Sequence, residues 1–217
     1  MQNTLKTARL RRGWNQQQGA KRLGVTQAYL SMLESGRRSS APLAHKLMHL
    51  YDLPATVLPP ETVEKGLSQD ALAGTLAALG YPGFAHLPAR RHRVNPAEFV
   101  LSAVAQDNLE ARTAEGLPWV LLQYPDLPAD WLLRESRVRN LQNRVGFVVT
   151  LAREAAGRAE LEPLERALAD SKLEKEDSFA KQLNDAERRW LRNNRSEQAR
   201  RWNLLSDMRP DMLRYVR

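Results

Sequence analysis

Helix starts and stops are so closely spaced in the first 58 residues that this stretch can fold only as a set of short helices. Asn3 or Thr4 can cap a first run whose apolar positions Leu5, Ala8 and Leu10 precede a stop at Gly13. Asn15 caps a second run over residues 16–23, ended by Gly24, which tolerates the left-handed backbone of a tight turn. Thr26 caps a third, running to Glu34 and closed by Gly36. Ser39 or Ser40, followed by Pro42, opens a fourth in which Leu43, Leu47 and Leu50 recur at helical spacing. Residues 54–58 allow one more turn before Pro59 and Pro60 end the segment.

Beyond residue 60 the pattern stays helical, with no period-2 alternation that demands a strand. Ser68 caps a run carrying Leu72, Leu76 and Leu79 that ends at Gly80, and residues 81–84 read as a turn. The basic stretch 86–93 reads as a loop. Asn95-Pro96 is a cap followed by proline, opening an amphipathic run to about residue 115. Residues 118–124 are apolar and short, a buried helix or a strand. The longest helix is expected from Pro128 to about residue 156, with Trp131, Leu132, Val138, Leu141, Val145 and Val148 as its buried stripe. Two further helices are expected at 162–183 and 185–205. The fold class is therefore all-α: a five-helix domain at 1–60 followed by a larger helical domain at 61–217.

Composition narrows the function. At 42% hydrophobic residues the chain can bury a core, and no window approaches the roughly 18 continuous apolar residues of a membrane span. Residues 1–10 lack the apolar stretch of a secretory signal, which points to the cytoplasm. Without cysteine there is no disulfide framework and no thiolate zinc site. His45 and His49 share a helix face at i, i+4, but no third ligand accompanies them, so no metal and no cofactor is expected. The net charge of +8 is unevenly placed. Residues 1–60 carry +7, residues 61–180 carry −4 and residues 181–217 carry +5. A basic head is the electrostatic footprint of a nucleic-acid binder.

The spaced set Arg9, Gln16, Ala20, Leu23-Gly24-Val25, Leu30, Leu33, Glu34, Gly36 and Arg37-Arg38 resembles the Cro and phage-repressor helix-turn-helix family over residues 5–53. Gly19 departs from that pattern, standing where the family usually has leucine. A glycine there costs about 1 kcal/mol of helix propensity and removes a core side chain, so a loose second helix is expected. The resemblance implies that the third helix enters the major groove of double-stranded DNA. It makes Thr26, Gln27, Ala28 and Met32 the base-facing side chains, with Tyr29 and Ser31 next in line. Gln27 is the best direct reader, because a carboxamide can pair with adenine through two hydrogen bonds. Gln16, Arg37 and Arg38 resemble the family's phosphate contacts, and Arg9 and Glu34 its internal ion pair. Leu23, Val25, Leu30, Leu33 and Leu47 read as core, and Trp14 as a lid on the domain.

Residues 61–217 show no phosphate-cradling glycine loop, no nucleophile elbow and no His-Glu-x-x-His motif, so no enzyme is expected. Three readings remain open. The segment can hold a homodimer together, bind a protein such as a toxin in the manner of an antitoxin, or sense a small molecule around the apolar stretch 117–122. The segment 188–202 separates them: Arg189, Trp190, Arg201 and Trp202 have the composition of interface anchors, while charge and stacking would equally suit a nucleic-acid contact, and a solvated helix whose tryptophans pack inward is the plain alternative.

Overall fold

Side-chain caps set the starts of two helices in the first unit. The computed structural model describes residues 2–61, 63–88 and 94–216, with side chains from Leu5 onward, and divides into two compact units at Pro59 and Pro60. Helix α1 spans Gln2–Arg11, so it begins before the expected cap; the side chains of Asn3 and Thr4 lie outside the described residues. Asn15 caps α2 (Gln16–Leu23) in a reciprocal box with Gln18, and Gly24 closes it at φ 71°. Thr26 caps α3 (Gln27–Glu34) by accepting from the Tyr29 amide. A 3₁₀ turn at Ala41–Leu43 leads into α4 (Ala44–Tyr51). The expected fifth helix is a single 3₁₀ turn, Ala55–Val57, because the two prolines that follow allow no more. Leu23, Leu30, Leu33 and Leu47 are buried together as expected, with Val25 packed partly against them.

The second unit is built around a helix that is buried all round. The helices are α5 (Gln69–Leu79), α6 (Pro96–Val104), α7 (Ala111–Gln123), α8 (Ala129–Val138), α9 (Gln142–Ala156), α10 (Glu162–Ala169), α11 (Asp185–Asn194) and α12 (Glu197–Arg201). Every residue of α9 from Gln142 to Ala152 is buried, and α6, α7, α8, α10 and α12 all pack on it. Ser68 and Asn95 cap α5 and α6 as the sequence predicts. Of the expected loop 86–93, positions 89–93 lie outside the described residues.

Four expected helices are shorter in the structure. The run from 128 to 156 breaks at Asn140, which takes a left-handed backbone (φ 56°) and lets the Leu141 amide reach back to the Ser136 carbonyl. Val138 consequently leaves the buried stripe and is 70% exposed. The run from 162 to 183 stops at Ala169, because the backbone of 171–173 bonds instead to the side-chain amides of Gln142 and Asn143. The run from 185 to 205 is interrupted at Ser196, whose hydroxyl caps α12. It ends in a two-residue parallel pairing of Asp177-Ser178 with Leu204-Leu205. The amphipathic run from Asn95 likewise ends at Val104, and the apolar stretch 118–124 falls almost entirely within α7 as helix.

Arg144 locks this unit from inside α9. Its guanidinium donates to both oxygens of Asp177 at 2.6 and 2.8 Å and to the carbonyls of Val104 and Gln106. It thereby ties the end of α6 to the short strand pair. At the entrance to the unit, Glu98 and Ser102 of α6 and Gln106 just beyond its end accept from the backbone amides of Glu61, Glu64 and Leu67. Glu98 and Ser102, at i and i+4, share one face of α6.

Candidate nucleic-acid interface

The geometry of α2 and α3 depends on a buried ion pair that begins on α1. Arg9 donates from Nε to Glu34 Oε1 at 2.5 Å and from Nη2 to Oε2 at 3.1 Å, while Nη1 holds the Trp14 carbonyl at 2.6 Å. The Glu34 hydrogen bonds and charge hold the Arg9 pKa above its ordinary value, against the opposing effect of burial. Both partners are almost wholly buried, so the pair fixes the end of α3 to α1 and to the loop before α2.

Glu34 also starts a polar chain that runs to the surface. Gln16 donates its amide to Glu34 Oε2 at 3.1 Å, and Gln16 Oε1 accepts from the amide of Gln27 at 3.4 Å. The ion pair thus orients Gln16, and Gln16 orients Gln27 on the exposed first turn of α3. The free carboxamide oxygen and remaining N–H of Gln27 are available to a ligand.

The other expected contact residues divide by position. Ala28 and Ser31 are exposed on the same helix. Thr26 is exposed, but its hydroxyl oxygen is engaged as the cap. Tyr29 is half-buried and packs on the core, and Met32 is half-buried. Arg37 and Arg38 are exposed in the loop after α3, which is shaped by Gly36 at φ 71° and by the Arg38 amide donating to the Met32 carbonyl. Trp14 covers the domain edge, tilted against Tyr51 with the Arg22 guanidinium 4.4 Å above its ring. Lys46 was not singled out from the sequence. Its ammonium bonds to the Leu23 carbonyl at 2.6 Å and secures the turn between α2 and α3, a contact without a local sequence signature.

Residues 5–58 match a family described as helix-turn-helix. The first unit is a helix-turn-helix domain. Such domains bind DNA, which makes the protein a DNA-binding regulator of transcription. No curated protein and no solved structure gives a significant match to the chain. Among the described residues no helix is long and apolar enough to cross a membrane, and no three metal-ligating side chains converge, His45 and His49 included.

The residues assigned to a partner surface do not stay together. Trp202 is fully buried: its indole N–H donates to Thr150 at 2.7 Å and its ring lies on Gly146 of α9. It is a core residue and is unavailable as an anchor. Arg201 is half-exposed and pairs with Glu165 at 3.1 Å. Arg189 and Trp190 lie exposed on α11, a helix with no buried residue. The apolar stretch proposed for a sensor pocket is mostly interior, since residues 117–121 are buried within α7.

Proposed function

We propose that the protein is a sequence-specific repressor that lays α3 in the major groove of an operator. In this reading Gln27, with Ala28 and Ser31 beside it, faces base edges, while Gln16, Arg37 and Arg38 contact phosphates. The observation that carries the proposal is the chain Glu34–Gln16–Gln27. A flexible surface glutamine loses rotamer entropy when it pairs with a base, and one held by a neighbour has already lost part of it. Binding of the full-length protein to operator variants, followed by fluorescence anisotropy, tests this. Gln27→Ala should lose about 1 to 3 kcal/mol of discrimination at one base-pair position. Arg38→Ala should weaken all sequences alike. Uniform loss in both variants would place the reading surface elsewhere.

For the second unit we propose a role in homodimerisation and in binding a protein partner, the arrangement of an antitoxin. Trp190, 54% exposed on a helix rich in arginine, favours it, because Trp and Arg dominate interface hot spots. Capture of a partner from the native host should be lost in Trp190→Ala while operator binding is kept.

A further inference from the structure

Helix α8 carries apolar residues on two faces, and the packing of the second unit uses only one of them. Leu132 and Ser136 are fully buried on the inner face, where α8 packs on α6, α9 and α10. Trp131 and Val138, two turns apart, share the outer face; Trp131 is half-buried and Val138 is 70% exposed. Beside the start of α8, Leu127 walls a small apolar groove together with Leu122, Leu161 and Leu164, none of them fully buried. The groove has a volume of about 100 Å³, well below the roughly 300 to 1,000 Å³ of a ligand pocket, so it suits one aliphatic side chain rather than a metabolite.

The charges along the outer face have an order. Asp130 is exposed and makes no ion pair among the described residues. Arg134, one turn on, reaches only Glu135, at 3.3 Å and with 64% of its own side chain exposed, and Glu135 is also held by Arg139. An unpaired acid followed by a surplus base is complementary to its own reversed copy. Under a two-fold axis across α8, Asp130 of each copy stands level with Arg134 of the other. In the same register Arg134 lies beside the other copy's Trp131 as a cation–π partner, and Val138 meets the Leu127 edge of the other copy's groove. One symmetric pairing thus supplies all three contacts twice.

We propose that α8 pairs antiparallel with α8 of a second copy and forms the dimer contact of the second unit. This names the surface for the homodimer reading above and rests on that reading. Ten helical residues make a contact about 15 Å long, at the low end of interface sizes, below about 1,200 Å². The free protein therefore dimerises weakly, with a dissociation constant of about 10 µM or above.

Sedimentation equilibrium of the full-length protein, from about 1 to 500 µM, tests this. The wild type should show a monomer–dimer equilibrium. Val138→Glu should weaken it at least tenfold and leave the thermal unfolding curve unchanged, since the side chain is exposed. Asp130→Arg and Arg134→Asp each place like charges opposite one another twice and should be monomeric alone. Mixed in equal amounts they should recover the dimer, because every cross-copy pair is then of opposite sign. If Asp130→Arg loses helicity, cross-linking replaces it: the chain has no cysteine, and Leu127→Cys should oxidise with Val138→Cys faster than either variant does with itself. A wild type that stays monomeric throughout overturns both this face and the homodimer reading. A dimer that survives Val138→Glu and both charge variants overturns this face and leaves the homodimer reading standing. Charge variants that are monomeric alone and do not recover on mixing, or cysteine variants that oxidise at equal rates, overturn the antiparallel pairing.

Discussion

Gly19 shows how a single position can look like a defect in the sequence and be a fitted part in the structure. A β-carbon there would stand 2.8 Å from Cδ of Arg9, 3.0 Å from the Tyr51 hydroxyl and 3.2 Å from Leu30. The space left by the absent leucine is therefore filled by the arginine of the ion pair and by Tyr51. Gly19→Ala sets two effects against each other, a gain of about 1 kcal/mol in helix propensity and an overpacking cost of about 1 to 3 kcal/mol. The second should win, because Arg9 is pinned by three hydrogen bonds. Hydrogen exchange at α2 amides should be faster in the variant; slower exchange would mean that Arg9 can give way. Asp177 offers a residue-scale test in the other unit. Burial pushes its pKa up, but the hydrogen bonds and charge of Arg144 outweigh this and leave it below the ordinary value. A lowered folded-state pKa stabilises above the unfolded-state pKa, near 4, and that contribution is lost as pH falls through the folded-state value. Asp177→Asn should thus be less stable than the wild type at neutral pH, by circular dichroism, with the difference shrinking below about pH 4. A difference that does not vary with pH would mean that the pair does not titrate.

At the scale of elements, the helix starts were more legible than the helix ends. Asn15, Thr26, Ser68 and Asn95 announce their helices because a cap is a local bond between residues two or three apart. Of the breaks at 140, 170 and 195, the one at 170 was missed because it depends on distant partners. The 171–173 loop is held by amides thirty residues away, and the strand pair joins Asp177 to Leu204. Asn140 and Ser196 did carry local signals, a left-handed asparagine and a second cap. The polar chain through Gln16 was only half legible: its members stood in the family pattern, but their mutual bonding needs the fold. Trp190 and Trp202 were read as two anchors on one helix, and the break at Ser196 separates them. Trp202→Ala should cost about 3 to 5 kcal/mol in the second unit, whereas Trp190→Ala should stay within about 0.5 kcal/mol. Gly146→Ala should also destabilise strongly, since its β-carbon would fall 2.3 Å from the Trp202 ring. Thermal unfolding of the three variants checks this, and comparable losses for the two tryptophans would contradict the burial assignment.

For the whole molecule, the decisive quantity is how many heads touch the operator at once. One eight-residue recognition helix reads too few base pairs to single out a site in a genome, so two heads on an inverted repeat, about one helical turn apart, are expected. Salt dependence counts them. Each phosphate contact releases condensed counterions and adds about 0.9 to the slope of log affinity against log salt concentration. Arg38→Ala removes one such contact per head, so it should lower the slope by about 1 if a single head binds and by about 2 if two do. The measurement needs only operator titrations at several salt concentrations for the wild type and the variant, with Gln27→Ala as the control that leaves the slope unchanged. A fall of about 2, together with a two-fold symmetric footprint, supports the dimer. A fall of about 1 on an asymmetric footprint would mean that a single head binds, and the second unit would then have to supply the missing specificity through contacts of its own.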